Sequence, residues 1–325
     1  MDNPNSPSPS NPDFPAPLTA SLPTPPPRNI VFFNDGGLRA GWRLLIYLLL
    51  VMLFGLVINQ VGRRIHPPTH QLPTPPGMIL SEAISFALVF GVALIMAKIE
   101  KRSPGLYGLP LSGAFGKNFW LGMLLGLVEV SLLIGLISAF GGYSFGSLAL
   151  SGAGIVRWGL IHLVLFTVVG FFEEFAFRGY IQFTLGDGIG FWPAAILLSV
   201  LFGAAHLGNP GEGWVGAASV VVVGLLFAFT LYRTGNLWYA VGLHASFDWG
   251  ETFLFSVPNS GEVMDGHLSN ALLHGPKWLT GASVGPEGSV FCFLTMILQF
   301  LVVMWLFPKR QETSHSSVAL AEHAA

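Results

Sequence analysis

The chain has 325 residues, of which 52% are apolar and only 10% are charged, whereas soluble proteins average about 25% charged residues. This composition and a mean hydropathy of +0.63 exclude an ordinary water-soluble domain. The net charge of −2 excludes the basic surface of a nucleic-acid-binding protein, and the single cysteine, Cys292, excludes a disulfide framework or a cysteine-rich zinc site.

The N-terminal segment is rich in proline. Residues 1–30 contain ten of the 23 prolines, with Ser and Asn between them, and such a segment buries too little apolar surface to offset its ordering entropy. We therefore predict a disordered tail over residues 1–35, a membrane domain over residues 36–308 and a short cytoplasmic C-terminal tail over residues 309–325.

Eight apolar runs follow the tail. A helix needs about 20 apolar residues to cross a bilayer, and the alternating pattern of a membrane barrel is absent. We therefore predict an all-α polytopic membrane protein with about eight transmembrane helices. The runs lie near residues 42–61, 77–97, 119–140, 158–172, 191–207, 214–231, 237–255 and 290–307.

The distribution of basic residues predicts the orientation of these helices. If the N-terminus is cytoplasmic, eleven of the 15 Lys and Arg residues fall on the cytoplasmic side and four on the other. This agrees with the excess of positive charge on cytoplasmic loops, so we predict that both termini are cytoplasmic. The small residues Gly122 and Gly126, four apart, predict close helix packing.

Ionisable side chains inside a membrane are costly and mark candidate functional sites. In the segment Glu173-Glu174-Phe175-Ala176-Phe177-Arg178, no helix breaker occurs before Gly179, so we predict one helix from about 155 to 185. Glu174 and Arg178 are then i, i+4 neighbours in the favourable order. Glu173 lies about 100° away around the helix without that partner, and a desolvated carboxylate of this kind can serve as a base.

Two further helices carry histidines. His206 ends the fifth run, while His244 and Asp248 in the seventh are i, i+4 neighbours, so the carboxylate can orient the imidazole, or both can face one metal or water. Rises of 1.5 Å per residue place Glu173, His206 and His244 at depths of roughly 18, 24 and 12 Å from the cytoplasmic side. We expect them to meet in the cytoplasmic half of the bilayer.

Other polar residues fit simpler interpretations. We interpret His162, and with less support Glu82 and Glu129, as structural hydrogen-bonding groups within the membrane. The segment Gly281–Gly285 matches G-x-S-x-G, but a nucleophile elbow needs a preceding strand and a following helix. Because this segment lies in a Gly- and Pro-rich loop, we interpret the match as chance.

The ordered motifs resemble a known family. E-E-x-x-x-R, then F-x-x-x-H, then H-x-x-x-N/D on successive helices of a polytopic protein resembles the CPBP intramembrane protease family, which includes type II CAAX prenyl endopeptidases and bacteriocin-processing and immunity-type homologues. The motif-bearing part covers about residues 155–255. The resemblance implies that Glu173 activates water, that Glu174 and Arg178 support it, and that His206 and His244 hold the water or the carbonyl oxyanion.

The resemblance does not decide whether the protein binds a metal, and it does not decide the role of Asp248. Asp248 occupies a position that is often Asn, and an ionised Asp cannot donate a hydrogen bond to an oxyanion. It would have to be protonated, orient His244 or bind a metal. A zinc ion held by His206, His244 and the Glu173 carboxylate is one alternative, and a glutamate mechanism without metal is the other.

These observations lead to a functional hypothesis with two rivals. We expect an intramembrane endopeptidase, of CAAX or bacteriocin-processing type, that cuts a membrane-attached protein or peptide near the cytoplasmic face. The rivals are a non-catalytic scaffold or immunity protein of the same fold and an ion-coupled transporter. The expected location is a lipid bilayer, the plasma membrane of a bacterium, and no nucleic-acid partner is expected.

Overall fold

A computed structural model describes residues 32–34, 37–65 and 74–308. Within these residues the chain is mostly helical, with two small antiparallel pairs of strands. The helices are α1 (Ala40–Ile65), α2 (Pro75–Glu100), α3 (Lys117–Ala139), α4 (Ala153–Arg178), α5 (Tyr180–Ile189), α6 (Phe191–His206), α7 (Trp214–Thr234), α8 (Trp238–Trp249), α9 (Lys277–Thr280) and α10 (Val290–Leu306); the strands are β1 (Phe33–Asn34), β2 (Gly37–Leu38), β3 (Tyr143–Ser144) and β4 (Leu272–Leu273). The predicted C-terminal tail and all but residues 32–34 of the predicted N-terminal tail lie outside the described residues.

The predicted class, an all-α membrane protein, is confirmed. Every predicted apolar run falls mainly in a helix, and α8 continues into a π-helical turn over Gly250–Leu254. Within the described residues, five segments are long and apolar enough to cross a bilayer: Ala40–Arg64, Pro75–Glu100, Lys117–Ala139, Ala153–Ile189 and Trp214–Thr234. The apolar helices α6 and α10 are shorter. The number of eight crossings and the cytoplasmic termini stay predictions.

Helices α3 and α8 touch through their backbones. A Cβ atom added to Gly122 would lie 2.2 Å from the Tyr239 carbonyl oxygen, and one added to Gly126 would lie 2.3 Å from that of Leu243. Only glycine permits this approach, which is how apolar helices pack without a hydrophobic driving force. The predicted close packing at these two glycines is therefore confirmed, and it fixes α8 against α3.

The single helix predicted from about 155 to 185 is wrong. The helix stops at Arg178, Gly179 leaves the helical region with a ψ of −129°, and α5 starts at Tyr180. A Cβ atom on Gly179 would lie 2.4 Å from the Phe175 carbonyl oxygen, so the break requires glycine. The break lets α5 turn and pack along α6 and α1 instead of extending α4.

An ion-pair network joins the ends of α1, α2 and α5. Arg43 donates to Glu100 and to Asp187, both at 2.8 Å, and Arg102 donates to Asp187 at 2.9 Å. The Tyr180 hydroxyl also donates to Glu100, at 2.5 Å. Because Arg43 and Glu100 are buried, these contacts tie the residue that follows the α4–α5 break to two neighbouring helices.

Replacing Arg43 by Ala should lower the stability of the bundle by about 2 kcal/mol. The substitution leaves Glu100 with an incompletely compensated buried charge, which Arg102 relieves only in part. Thermal unfolding of the purified protein in detergent measures the effect. Arg64→Ala, at an exposed position in the last turn of the same helix, is the matched control, and equal losses in the two variants would contradict the assignment.

Candidate active site

A cavity of about 500 Å³ lies between helices α2, α3, α4, α6, α7, α8 and α10 and the loop that leads to α10. Its wall is mostly apolar, with aromatic and methionine side chains that include Met78, Phe172, Phe177, Phe202, Met264 and Met296. Four of the predicted site residues line it, namely Glu173, His206, His244 and Asp248. Within the described residues, a mostly apolar pocket of this size with a few convergent polar groups is typical of a binding or active site.

His244 is the centre of the polar cluster. Its Nδ1 lies 3.1 Å from Glu174 Oε1, and its Nε2 lies 3.3 Å from Asp248 Oδ2 and 3.7 Å from Glu173 Oε2. The Phe227 ring stacks on the imidazole at 5.2 Å, with 14° between the ring planes. Three contacts thus hold the imidazole in place. Its Nε2 faces the carboxylates of Asp248 and Glu173, which line the cavity.

Glu174 and Arg178 lie behind this cluster and are completely buried. Arg178 Nη1 donates to Glu174 Oε1 at 3.2 Å across one helical turn. The guanidinium also lies 4.3 Å from the centre of the Phe202 ring, a cation–π distance. Because Glu174 Oε1 faces both Arg178 and His244, the pair fixes the orientation of the imidazole.

His206 approaches the cavity from the end of α6. Its Nδ1 lies 2.9 Å from the Phe202 carbonyl oxygen and donates to it, and the two rings pack edge to face at 4.6 Å. In a neutral imidazole this bond leaves Nε2 as the acceptor. Among the described residues no hydrogen bond joins His206 to Glu173 or His244, so the structure places it on the same cavity wall but not in direct contact with them.

The predicted zinc set does not fit a metal site as the residues lie. Among the described residues, no group of three or more His, Cys, Asp and Glu side chains could hold a metal ion. His244 Nε2, the atom that such a site would need, faces Asp248 and Glu173 at hydrogen-bond and ion-pair distances instead. The metalloprotease assignment is therefore not supported, and we derive no step through a metal.

The sequence interpretation missed a carboxylate, Glu287, which the loop before α10 brings into the cavity wall. Its Oε2 accepts hydrogen bonds from the backbone N–H and the hydroxyl of Ser260. Burial and the negative charge of Asp248 raise the pKa of Glu287 to about 7. The nearby Gly285 has a φ of +99°, and its backbone touches Pro258. The Gly- and Pro-rich composition of the loop indicates irregular backbone in general, but not this contact.

The structure also differs from the interpretation of Glu82 and Glu129 as structural hydrogen-bonding groups. Both line the cavity, and Oε2 of Glu129 has no hydrogen-bond partner among the described residues. His162 does not line the cavity; its Nδ1 donates to the Trp158 carbonyl oxygen at 2.9 Å, and its buried Nε2 has no hydrogen-bond partner among the described residues. The G-x-S-x-G segment directly follows α9, not a strand, and leads into a short 3₁₀ turn.

Glu287→Gln should raise the stability of the protein above pH 7 and leave it unchanged near pH 4.5. A carboxyl group with a raised pKa in the fold favours folding at low pH, and this contribution is lost as the pH rises from about 4.5 through about 7. Gln keeps an acceptor for Ser260 and has no charge to bury. The free energies of unfolding of the two proteins, measured between pH 5 and 8.5, should therefore diverge, by about 3 kcal/mol at the upper end, whereas parallel curves would contradict the assignment.

A comparison with known protein families finds a match over part of the chain. Residues 155–250 match the family model of the type II CAAX prenyl endopeptidase Rce1-like proteins. This range runs from α4 to the end of α8 and contains all six predicted site residues, so the predicted resemblance is confirmed over it. No curated protein and no solved structure matches the chain.

Proposed function

We propose that this protein is an intramembrane endopeptidase that hydrolyses a peptide bond of a membrane-attached protein or peptide. The observation that carries the proposal is the cluster of Glu173, His244 and Asp248 on the wall of a cavity inside a helical bundle. The family match over residues 155–250 supports the same reaction class. A reacting peptide group needs an activated water, a proton carrier and a donor for the oxyanion, and this cluster supplies all three.

Glu173 is the proposed general base. Its carboxylate faces the cavity 3.7 Å from His244 Nε2 and has no ion pair with Arg178, unlike the neighbouring Glu174. It takes a proton from a water molecule, the hydroxide adds to the carbonyl carbon, and the proton passes to the leaving amine as the C–N bond breaks. His206 suits the position of a water-holding group, because the Phe202 carbonyl leaves its Nε2 free to accept a hydrogen bond.

Asp248 acts in this proposal through His244. Its Oδ2 lies 3.3 Å from Nε2, and Glu174 holds Nδ1 on the opposite side of the ring. A proton on Nε2 is therefore held by Asp248 at the edge of the cavity, and it can be donated to an oxyanion when a bound carbonyl replaces Asp248 as its acceptor. This arrangement gives an ionised Asp a role that does not require it to donate a hydrogen bond itself.

The cavity wall supports a membrane-attached substrate. Phe172, Phe177 and Met296 make much of the wall apolar, and the surrounding helices α2, α3, α4 and α7 are long and apolar enough to cross a bilayer. A C-terminal prenylated motif, as in the CAAX class, and an unlipidated peptide both fit an apolar wall. We place the protein in the plasma membrane of a bacterium on the sequence-based expectation alone.

The reaction is tested with purified protein in lipid nanodiscs. We would add a library of peptides and proteins extracted from membranes and read new chain termini by mass spectrometry, with empty nanodiscs as the control. We expect new termini only with the protein. Their absence with well-folded protein would favour the scaffold or immunity protein, and proton-dependent flux in proteoliposomes would instead favour the transporter.

A further inference from the structure

The cavity is strongly acidic beyond the proposed catalytic cluster. Among its described lining residues are six carboxylates and two histidines, but no Lys or Arg. Four of the carboxylates have no part in the hydrolytic cluster, and we call these the acidic wall: Glu82, Glu129, Glu262 and Glu287. They come from α2, α3 and two positions in the loop between α8 and α10, so the fold brings together charges from three separate parts of the chain.

Glu129 distinguishes this wall from an incidental cluster of acids. The residue is only 5% exposed, it lines the cavity, and its Oε2 is a buried acceptor without a hydrogen-bond partner among the described residues. Buried polar atoms in proteins are almost always satisfied, and an orphaned one calls for an explanation. A donor that enters the cavity would satisfy it.

The remaining carboxylates favour a cationic donor over a neutral one. The charges of Glu173 and Glu262 act on Glu82, and the charge of Asp248 acts on Glu287. A neutral donor would satisfy one oxygen but leave these repulsions in place, whereas a cation offsets them. A bound metal ion is disfavoured, because no group of three or more ligands converges among the described residues.

We propose that the acidic wall is a subsite for a basic side chain, Lys or Arg, of the peptide substrate, with Glu129 as the carboxylate that meets it. That the ligand is a peptide rests on the proposed function. A long basic side chain suits the site, because its apolar stem can pack on the aromatic wall while its charged end reaches Glu129. The subsite selects the substrate and takes no part in the bond-breaking step.

Cys292 provides a probe of the subsite that does not depend on proteolysis. It is the only cysteine of the chain, it lines the same cavity, and it is buried on α10. Two methanethiosulfonate reagents of similar size, the cationic trimethylammonium-ethyl and the anionic sulfonato-ethyl compounds, would be reacted with full-length protein in nanodiscs. Intact mass spectrometry gives both rates, and free 2-mercaptoethanol gives the reference ratio.

We expect the ratio of cationic to anionic rates to exceed the reference by about tenfold. The excess should fall severalfold in Glu129→Gln and stay unchanged in Asp265→Asn, which removes an exposed carboxylate of the same loop outside the cavity. Glu82→Gln is the second variant if Glu129→Gln does not fold. A reference-like ratio, an excess that survives in both Gln variants, or no reaction with the cationic reagent would overturn the proposal.

A second readout concerns the substrate itself. In the mass-spectrometric assay, Lys and Arg should be enriched near the bonds that the wild type cuts, and the enrichment should be lost in Glu129→Gln. If the reagent ratio is high but no bond is cut, the cation subsite stands and the proteolytic function fails. If bonds are cut without basic residues nearby, the proteolytic function stands and the subsite fails.

Discussion

Glu173→Gln should reduce peptide cleavage by about 10²–10⁴-fold while the protein stays folded. Gln keeps the size of the side chain but cannot accept a proton from water, and loss of a general base costs about 10²–10⁴-fold. Glu173 lies on the cavity wall and its only ion pair in the described structure is the 3.7 Å contact with His244. Rates would be measured on one peptide that the wild type cuts.

The control for this substitution is Asp265→Asn, which removes one negative charge from an exposed loop position. It should cleave at the wild-type rate. Melting temperatures of both variants should lie close to that of the wild type, because Glu173 has no part in the buried pair of Glu174 and Arg178. Equal activity in Glu173→Gln and wild type would contradict the assigned base.

Arg178→Met should cost about 3–5 kcal/mol of stability and remove most of the activity. The substitution leaves the carboxylate of Glu174, which is completely buried, without its positive partner. It also removes the guanidinium from the Phe202 ring and loosens the contact that orients His244. Thermal unfolding in detergent and cleavage of the same peptide measure the two effects.

A double variant separates the charge from the packing. Glu174→Gln combined with Arg178→Met removes the unpaired charge, so it should be more stable than Arg178→Met alone. Activity should stay low, because the imidazole has lost its charged partner. Additive losses of stability in the double variant would contradict a direct coupling between the two side chains.

The sequence predicted the helices and the local pairs well, because both depend on short-range periodicity. Glu174 and Arg178 are one turn apart on a continuous helix, and the same holds for His244 and Asp248. Gly179 was the exception. Glycine is tolerated inside membrane helices, so only the contact with the Phe175 carbonyl shows that the helix must break there.

The orientation of α3 could have been predicted further. Gly126 lies four residues after Gly122, and Glu129 lies three residues after Gly126, so all three share one helix face. Since the two glycines contact α8, the same face brings Glu129 to the cavity that Leu243 also lines. The sequence shows that the three residues share one helix face, but it does not show which helix packs against that face.

Glu287 could not have been placed from sequence. It belongs to a loop without periodicity, and its position depends on contacts of Ser260 and Pro258 with distant parts of the same loop. The same limit applies to the distance between His206 and His244, which lie on helices separated by α7. Helix depth estimates could place both in one half of the membrane but not on one wall.

The most direct test of the central claim is a side-by-side comparison of wild type and Glu173→Gln in nanodiscs, in water enriched in ¹⁸O. Each new C-terminus would be identified by mass spectrometry in the same membrane-extracted library. The account predicts new C-termini that carry ¹⁸O with the wild type and none with Glu173→Gln. The same labelled termini from the variant, at a similar rate, would contradict it.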